Sequence, residues 1–446
     1  MTSGSGDTRL NRRELLGRGA VLGLAAATAT RPLAGLAPAF GSSAAPVRLP
    51  GPADVRASFK RMVDFGPRLT ASRAHNNYIS WLERQFVRAG LELRPPDRYQ
   101  TDRWLTSEAG LEIHGPGGGP AKVAAYYPRS AHTSPGGVVG PLVYGGVAPA
   151  LSASGTDFAA LKAAIARYPA ELASWASGLR GTLEGVEGSI LLVDLPLPVP
   201  LTAAAFLPLV TYLNWPGHTL TDWARSDYKR LWIEPGLGIP LMPFQELGAA
   251  GVVFIVDASH PALAGGYLPF GHGVEPLPAL YVARGEGRRL RAVAARRPRA
   301  RLTLSGTRRK ADTRSVTAVL PGRSKETIIF NTHTDGQGFA EENGGVAFVH
   351  LARYFATRPR GNRLRRTLVF AAWPGHMTYD LPQTQGWIDA HPDLVGRAAA
   401  ALTVEHLGCS EWDDTVNHGY RPTGEPEMLG IWTTQGKMFE LTRDTV

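Results

Sequence analysis

The residues with the most chemical content lie in the last third of the chain. His333 and Asp335 stand two apart behind the apolar run 327–331. In extended backbone that spacing puts both on one side, an imidazole ligand beside a carboxylate able to orient its ring. Gly375-His376 follows a second apolar run, 367–373, and Glu405-His406 closes a third, 400–404. Glu341-Glu342-Asn343 adds two carboxylates just ahead of an apolar helical pattern. Imidazoles and carboxylates without thiolate form a ligand set suited to catalytic zinc. Two such ions need a bridging carboxylate, and Glu342 is positioned for it. Glu405 on an otherwise apolar strand is costly to bury unpaired, which favours a ligand role. The acidic pair 341–342 has a second explanation, because carboxylates in the first turn of a helix complement its dipole. His406, next along the strand, points to the opposite face and reads as structural. Cys409 is the chain's one cysteine, which excludes an intramolecular disulfide and a thiolate cluster. It reads as a small buried hydrophobe.

These groups need elements to position them. The three runs have strand length, and between the first two lies residues 345–357, with Phe348, Leu351, Ala352 and Phe355 on one helical face. Strand–helix–strand alternation predicts a mostly parallel α/β sheet. In such sheets ligands gather outside the carboxyl ends of the strands, so three polar termini converge. Residues 315–320 and 327–331, joined through Pro321-Gly-Arg-Ser324, predict a hairpin. Upstream, residues 54–93 carry a helical pattern, with Tyr78, Ile79, Leu82 and Phe86 on one face and Gly90 as a stop. Between them the texture changes to short β-like runs at 140–144, 189–194 and 252–257, separated by Gly/Pro-rich segments.

Composition narrows the classes. The 446 residues are 43% hydrophobic and 19% charged, which excludes a disordered or collagen-like chain. The net charge is +10, and only 7 of the 48 basic residues are lysine. The arginine-rich stretch 284–310 almost lacks aromatic residues, so stacking on nucleic acid is not supported. It reads instead as a solvated helix around Leu290 followed by an edge strand at 301–304. No run of about 18 apolar residues occurs, so a stable membrane span is not expected. Arg12-Arg13 ahead of the weakly hydrophobic stretch 19–29 resembles a twin-arginine export signal, with Ala27-Thr-Ala29 or Ala37-Pro-Ala39 as cleavage sites.

Taken together, His333-Thr-Asp335, Glu342-Asn-Gly-Gly-Val346, Gly375-His376 and Glu405-His-Leu-Gly408 resemble the two-zinc aminopeptidases of the aminopeptidase Y type. Phe65-Gly-Pro-Arg-Leu-Thr70 with Ala74-His-Asn76 is similar to their pre-catalytic helix and loop. Residues 188–194 and 247–254 resemble their protease-associated domain. The resemblance implies an α/β fold, a mostly parallel sheet of the zinc aminopeptidase type with an inserted β-rich protease-associated domain. The corresponding segments are a signal and linker at 1–45, a first part of the peptidase domain at 46–130, the insert at 131–310 and the metallopeptidase core at 311–446.

By position, the resemblance makes His333 a zinc ligand and Asp335 its orienting partner. Glu342 stands for the family's bridging aspartate and Glu405 for a further ligand aspartate, each one methylene longer. Where the family has a glutamate pair, this chain has Gly375-His376. His376 replaces the ligand, and the general base has no counterpart there, leaving Glu341 as the nearest replacement. The last family ligand, a downstream histidine, has no counterpart before Val446, so by the resemblance either the sequence is truncated within the catalytic domain or the site is degenerate. The implied activity is that of an exported hydrolase with two zinc ions, using an activated water to cut the amino-terminal bond of a peptide substrate. A non-catalytic secreted binding protein is the rival reading, and a metal-dependent amide hydrolase acting on other substrates is the third.

Overall fold

The computed structural model describes residues 49–150, 158–196, 201–202, 210, 212–214, 217, 219, 221, 227–228, 239–266, 268, 270, 272–338, 343–357, 363–408, 410–415, 419–426 and 431–445. The export signal, Glu341, Glu342 and Cys409 lie outside them. The chain forms two compact units, one from 1–103, 309–410 and 426–432, the other from 104–308, 411–425 and 433–446.

The first unit is built on a five-stranded sheet. The strand Thr327–His333 runs parallel to Thr367–Trp373 on one side and to Ala398–Thr403 on the other. Val316–Leu320 pairs antiparallel with the far side of Thr367–Trp373, and Glu92–Leu93 closes that edge, also antiparallel. The sheet is therefore mixed in its pairing, although only Val316–Leu320 runs against the other four strands.

The hairpin expected between residues 315–320 and 327–331 does not form, because Thr367–Trp373 lies between those strands. The connecting loop is stitched to the approach to that strand. Arg323 and Ser324 donate backbone N–H bonds to the carbonyls of Leu364 and Arg365, and Gly322 donates to the Thr367 hydroxyl. Thr327–His333 can use both its edges in parallel pairing only if the antiparallel strand moves one place outward.

Both faces of the central strands are covered. Phe330 stacks on Phe370 at 5.1 Å, and that face packs against Tyr78, Leu82, Phe86 and Phe348. Ile329, Val369 and Ala371 face Trp387, Ile388 and Leu394. Burial on both faces explains the near-continuous apolar runs. Ala398–Thr403 differs from its expected burial. It is an edge strand with Ala399, Leu402 and Thr403 exposed.

The helical stretch expected over 54–93 is two helices, Pro52–Val63 and Arg73–Arg88, followed by the short strand Glu92–Leu93. Gly66, at φ +80°, and Pro67 interrupt it. Ser72 restarts it as an N-cap, its side chain accepting the His75 N–H at 3.1 Å. The helix Gly344–Ala356 forms as the sequence pattern requires, with Phe348 and Ala352 in the core.

The second unit holds most of an eight-stranded sheet. Val138–Val147, Ile190–Leu195, Gly251–Val256 and Ala279–Ala283 form a parallel ladder within it. Arg299–Arg314, expected as an edge strand, is an inner one, paired antiparallel with Val138–Val147. Ala300, Leu302 and Leu304 are buried while Arg299 and Arg301 are exposed. Such alternation identifies the buried face and carries no information about how many neighbours a strand has. Among the described residues no helix is long and apolar enough to cross a membrane.

Candidate functional site

Strand register brings the chemistry together. His333 is the last residue of its strand and is paired in register with Trp373, while Asn331 is opposite Thr403. The segments that continue from Trp373 and Thr403, carrying His376 and Glu405, therefore flank His333. The His333 Nε2 lies 2.9 Å from the Glu405 carboxylate, and the His333 and His376 rings are 4.1 Å apart between centroids. All three candidate ligands among the described residues meet at the carboxyl ends of three adjacent strands.

Each is held by neighbours. The His333 Nδ1 donates to the backbone carbonyl of Asp335 at 2.7 Å. A carbonyl only accepts, so Nδ1 carries a hydrogen, and Nε2, turned toward the ionised Glu405 carboxylate, carries a second one to bond it. Burial raises the Glu405 carboxyl, but the hydrogen bond from His333 and the nearby His333, His406 and His376 imidazoles outweigh it and bring it down to about 2. The loop bearing Glu405 is clasped by Asn343, whose amide donates to the Leu407 carbonyl at 2.6 Å and accepts the Leu407 N–H at 2.9 Å. Asn331 does the same one turn earlier, bonding the Leu402 carbonyl and the Thr403 hydroxyl. The strand alternation that would send His406 to the far face stops at Thr403. His406 takes a left-handed conformation at φ +54° and is buried close to Glu405.

Asp335 orients the His333 ring through its carbonyl, not through the carboxylate expected from the two-residue spacing. The carboxylate is fully buried and engaged elsewhere. It accepts N–H bonds from Gly375, His376 and Met377 at 3.0, 3.3 and 3.0 Å, and the Thr70 hydroxyl at 2.5 Å. Burial disfavours its charge, yet the neighbouring His333 imidazole and the Thr70 and Met377 donors keep it below the ordinary carboxylate range. Gly375 reaches its place at φ +124°, where an added Cβ would lie 2.9 Å from the Gln383 side chain.

A further layer comes from the head segment. The buried His75 accepts the Ala71 N–H at Nδ1, so its hydrogen is on Nε2 and is donated to the Thr334 hydroxyl at 2.7 Å. Burial above all, with Arg68 and Arg314 adding to it, lowers the His75 imidazole to about 4 despite Asp335, and keeps it neutral. Arg68, wholly buried, donates to the carbonyls of Met62, Gly66 and Gly338, and its backbone pairs both ways with Gly336. Residues 66–70 are thereby tied to the loop that follows His333. Sequence reasoning placed this segment near the chemistry by resemblance, without assigning roles to Thr70, His75 or Thr334.

Among the described residues no group of three or more His, Cys, Asp or Glu side chains is arranged around a metal position. The donor chemistry nevertheless fits zinc. Two imidazoles and a carboxylate lie in reach of one another without thiolate, and Nε2 of His333 faces the carboxylate across a hydrogen that a cation can replace.

The fold is similar to that of a solved peptidase. The chain is similar to a peptidase M28 precursor from Shewanella amazonensis SB2B, with a TM-score of 0.52 and 14% identity over 82% of this chain and 74% of that one. It also matches a zinc aminopeptidase from Bacillus subtilis (TM-score 0.49, 14% identity, 81% and 71% covered). An aminopeptidase from Aneurinibacillus sp. strain AM-1 gives 0.46 at 15% identity, with 81% and 72% covered. No protein-family model and no curated protein matches the chain.

Proposed function

We propose that this chain is an exported, zinc-dependent metallohydrolase of the aminopeptidase type, cutting the amino-terminal bond of peptides. The observation that carries the reading is the meeting of His333, His376 and Glu405 at three adjacent strand ends. The fold shared with the M28 precursor supports it. His333, His376 and Glu405 would hold the metal, with Glu342 as the bridge to a second ion. Zinc in this place supplies Lewis-acid polarisation of a scissile carbonyl and acidifies bound water.

The chain's own residues supply the rest. The Asp335 carbonyl orients the His333 ring, and the Asn331 and Asn343 clasps hold the Glu405 loop. Glu341 is the proposed acceptor of the proton that must reach the leaving amine. Residues 131–310 are read as a protease-associated insert that binds substrate, and the twin-arginine segment as the export signal.

A specific observation favours the rival, a secreted protein with this fold that binds without catalysis. Gly375 occupies the position where the resemblance calls for the base. Its left-handed backbone and the Gln383 side chain beside it disfavour any side chain there.

Zinc content per chain and amino-acid release from peptides, measured on the mature protein and on His333→Ala, decide between them. Bound zinc lost in the variant together with zinc-dependent release supports the peptidase. Bound zinc with no release supports the binding protein. A folded chain that takes up no zinc removes both the metal centre and the enzyme.

A further inference from the structure

Asp335 is a wholly buried carboxylate held, among the described residues, by neutral donors. Its partners are three successive backbone N–H groups, those of Gly375, His376 and Met377, and the Thr70 hydroxyl. Three converging N–H groups form an anion nest, and the left-handed Gly375 is what lets the backbone close around the charge. The nest is also the turn that carries His376. Thr70 lies 265 positions away in sequence and supplies a side-chain donor, at 2.5 Å. Its own segment is anchored by the buried Arg68 and by the His75–Thr334 bond.

We propose that Thr70 is a positioning residue of the site: by completing the shell of Asp335 it fixes the 375–377 turn, and with it where His376 stands relative to His333 and Glu405. This rests on the zinc reading above. Asp335 then serves both ligand histidines, one through its carbonyl and the other through its carboxylate. Without the hydroxyl, the buried charge is one donor short and the turn holding His376 loosens. Partners of metal ligands typically contribute about 10- to 100-fold in metal affinity, and Thr70→Val should lose that much zinc affinity.

The test is zinc titration of the metal-free protein and of Thr70→Val, Thr70→Ser, His376→Ala and the Thr70→Val/His376→Ala double variant. The expected result is a loss of about 10- to 100-fold for Thr70→Val, recovery by Thr70→Ser, and no further loss when Thr70→Val is added to His376→Ala. Thr70→Ala, which leaves room for a water, takes the place of the valine variant if that one does not fold. Histidine carbon-13 NMR of the metal-free protein adds a readout independent of zinc. The His376 ring signals should shift or broaden in the variant while those of His391 stay in place. Wild-type zinc binding with Thr70→Val within about twofold of it, or a loss that adds fully to that of His376→Ala, overturns the positioning role and leaves the zinc reading intact. A wild-type protein that binds no zinc overturns both.

Discussion

The two units use the ends of parallel strands in opposite ways. In the second unit the acidic groups there are closed by arginines of a following helix. Asp194 bonds Arg291 at 2.5 Å and Tyr144 at 2.6 Å, and Asp257 bonds Arg284 at 2.5 Å. Both arginines belong to the helix Arg284–Ala294. In the first unit the corresponding strand ends bring two imidazoles and a carboxylate together, His333 bonding Glu405 directly, while the buried Arg68 of that unit donates to backbone carbonyls. A carboxylate paired with a fixed cation is finished chemically. One paired with imidazole can exchange a proton for a metal ion. The difference lies in what meets the strand ends, since parallel strands and covering helices are common to both.

That contrast can be broken or sharpened by experiment. The largest stability effect belongs to His75, which lies behind the open site. Its imidazole is held near 4 in the fold against an ordinary 6.5. Below 6.5 the unfolded chain takes up a proton that the folded one does not, so stability falls as pH drops from 6.5 toward 4. The drop should approach about 3 kcal/mol in denaturant titrations of metal-free protein, and His75→Gln should lack that slope.

Next is Gly375→Ala, which forces a side chain into a left-handed position against Gln383. A loss of about 1–3 kcal/mol is expected in thermal or denaturant unfolding, with zinc affinity weakened because the same turn bears His376. Smallest is Asp194→Asn in the second unit. It removes a partly exposed ion pair, should lower stability by about 1 kcal/mol or less, and should leave zinc uptake unchanged. A zinc effect from Asp194→Asn would erase the distinction between closed and open strand ends.

Much of this was legible in the sequence where information is local. The runs ending at His333, Trp373 and near Glu405, and the helix carrying Phe348 and Ala352, follow from periodicity and length. What periodicity does not hold is the choice of partner. Residues 315–320 looked ready to pair with the next strand in sequence, yet pair with one nearly fifty residues on. The inner place of Arg299–Arg314 escaped for the same reason. At the site, the donor residues that follow the strands could be named from the sequence, whereas the contacts from Thr70 to Asp335 and from His75 to Thr334 span more than 250 positions. No local pattern announces them. That Asp335 uses its carbonyl for one histidine and its carboxylate for the other turn depends on the direction of the chain after the strand ends.

Of the three strands that bring donors to the site, two are buried in the middle of the sheet and the third, Ala398–Thr403, is a half-exposed edge. Glu405 thus hangs from the element whose amides should exchange with solvent soonest, while His333 and His376 hang from elements that open only with the whole unit. Capturing a cation with Glu405 would draw on binding free energy to keep that edge in register. Releasing the cation and fraying the edge would then be one event, and hydrogen exchange along 398–404 its natural gauge.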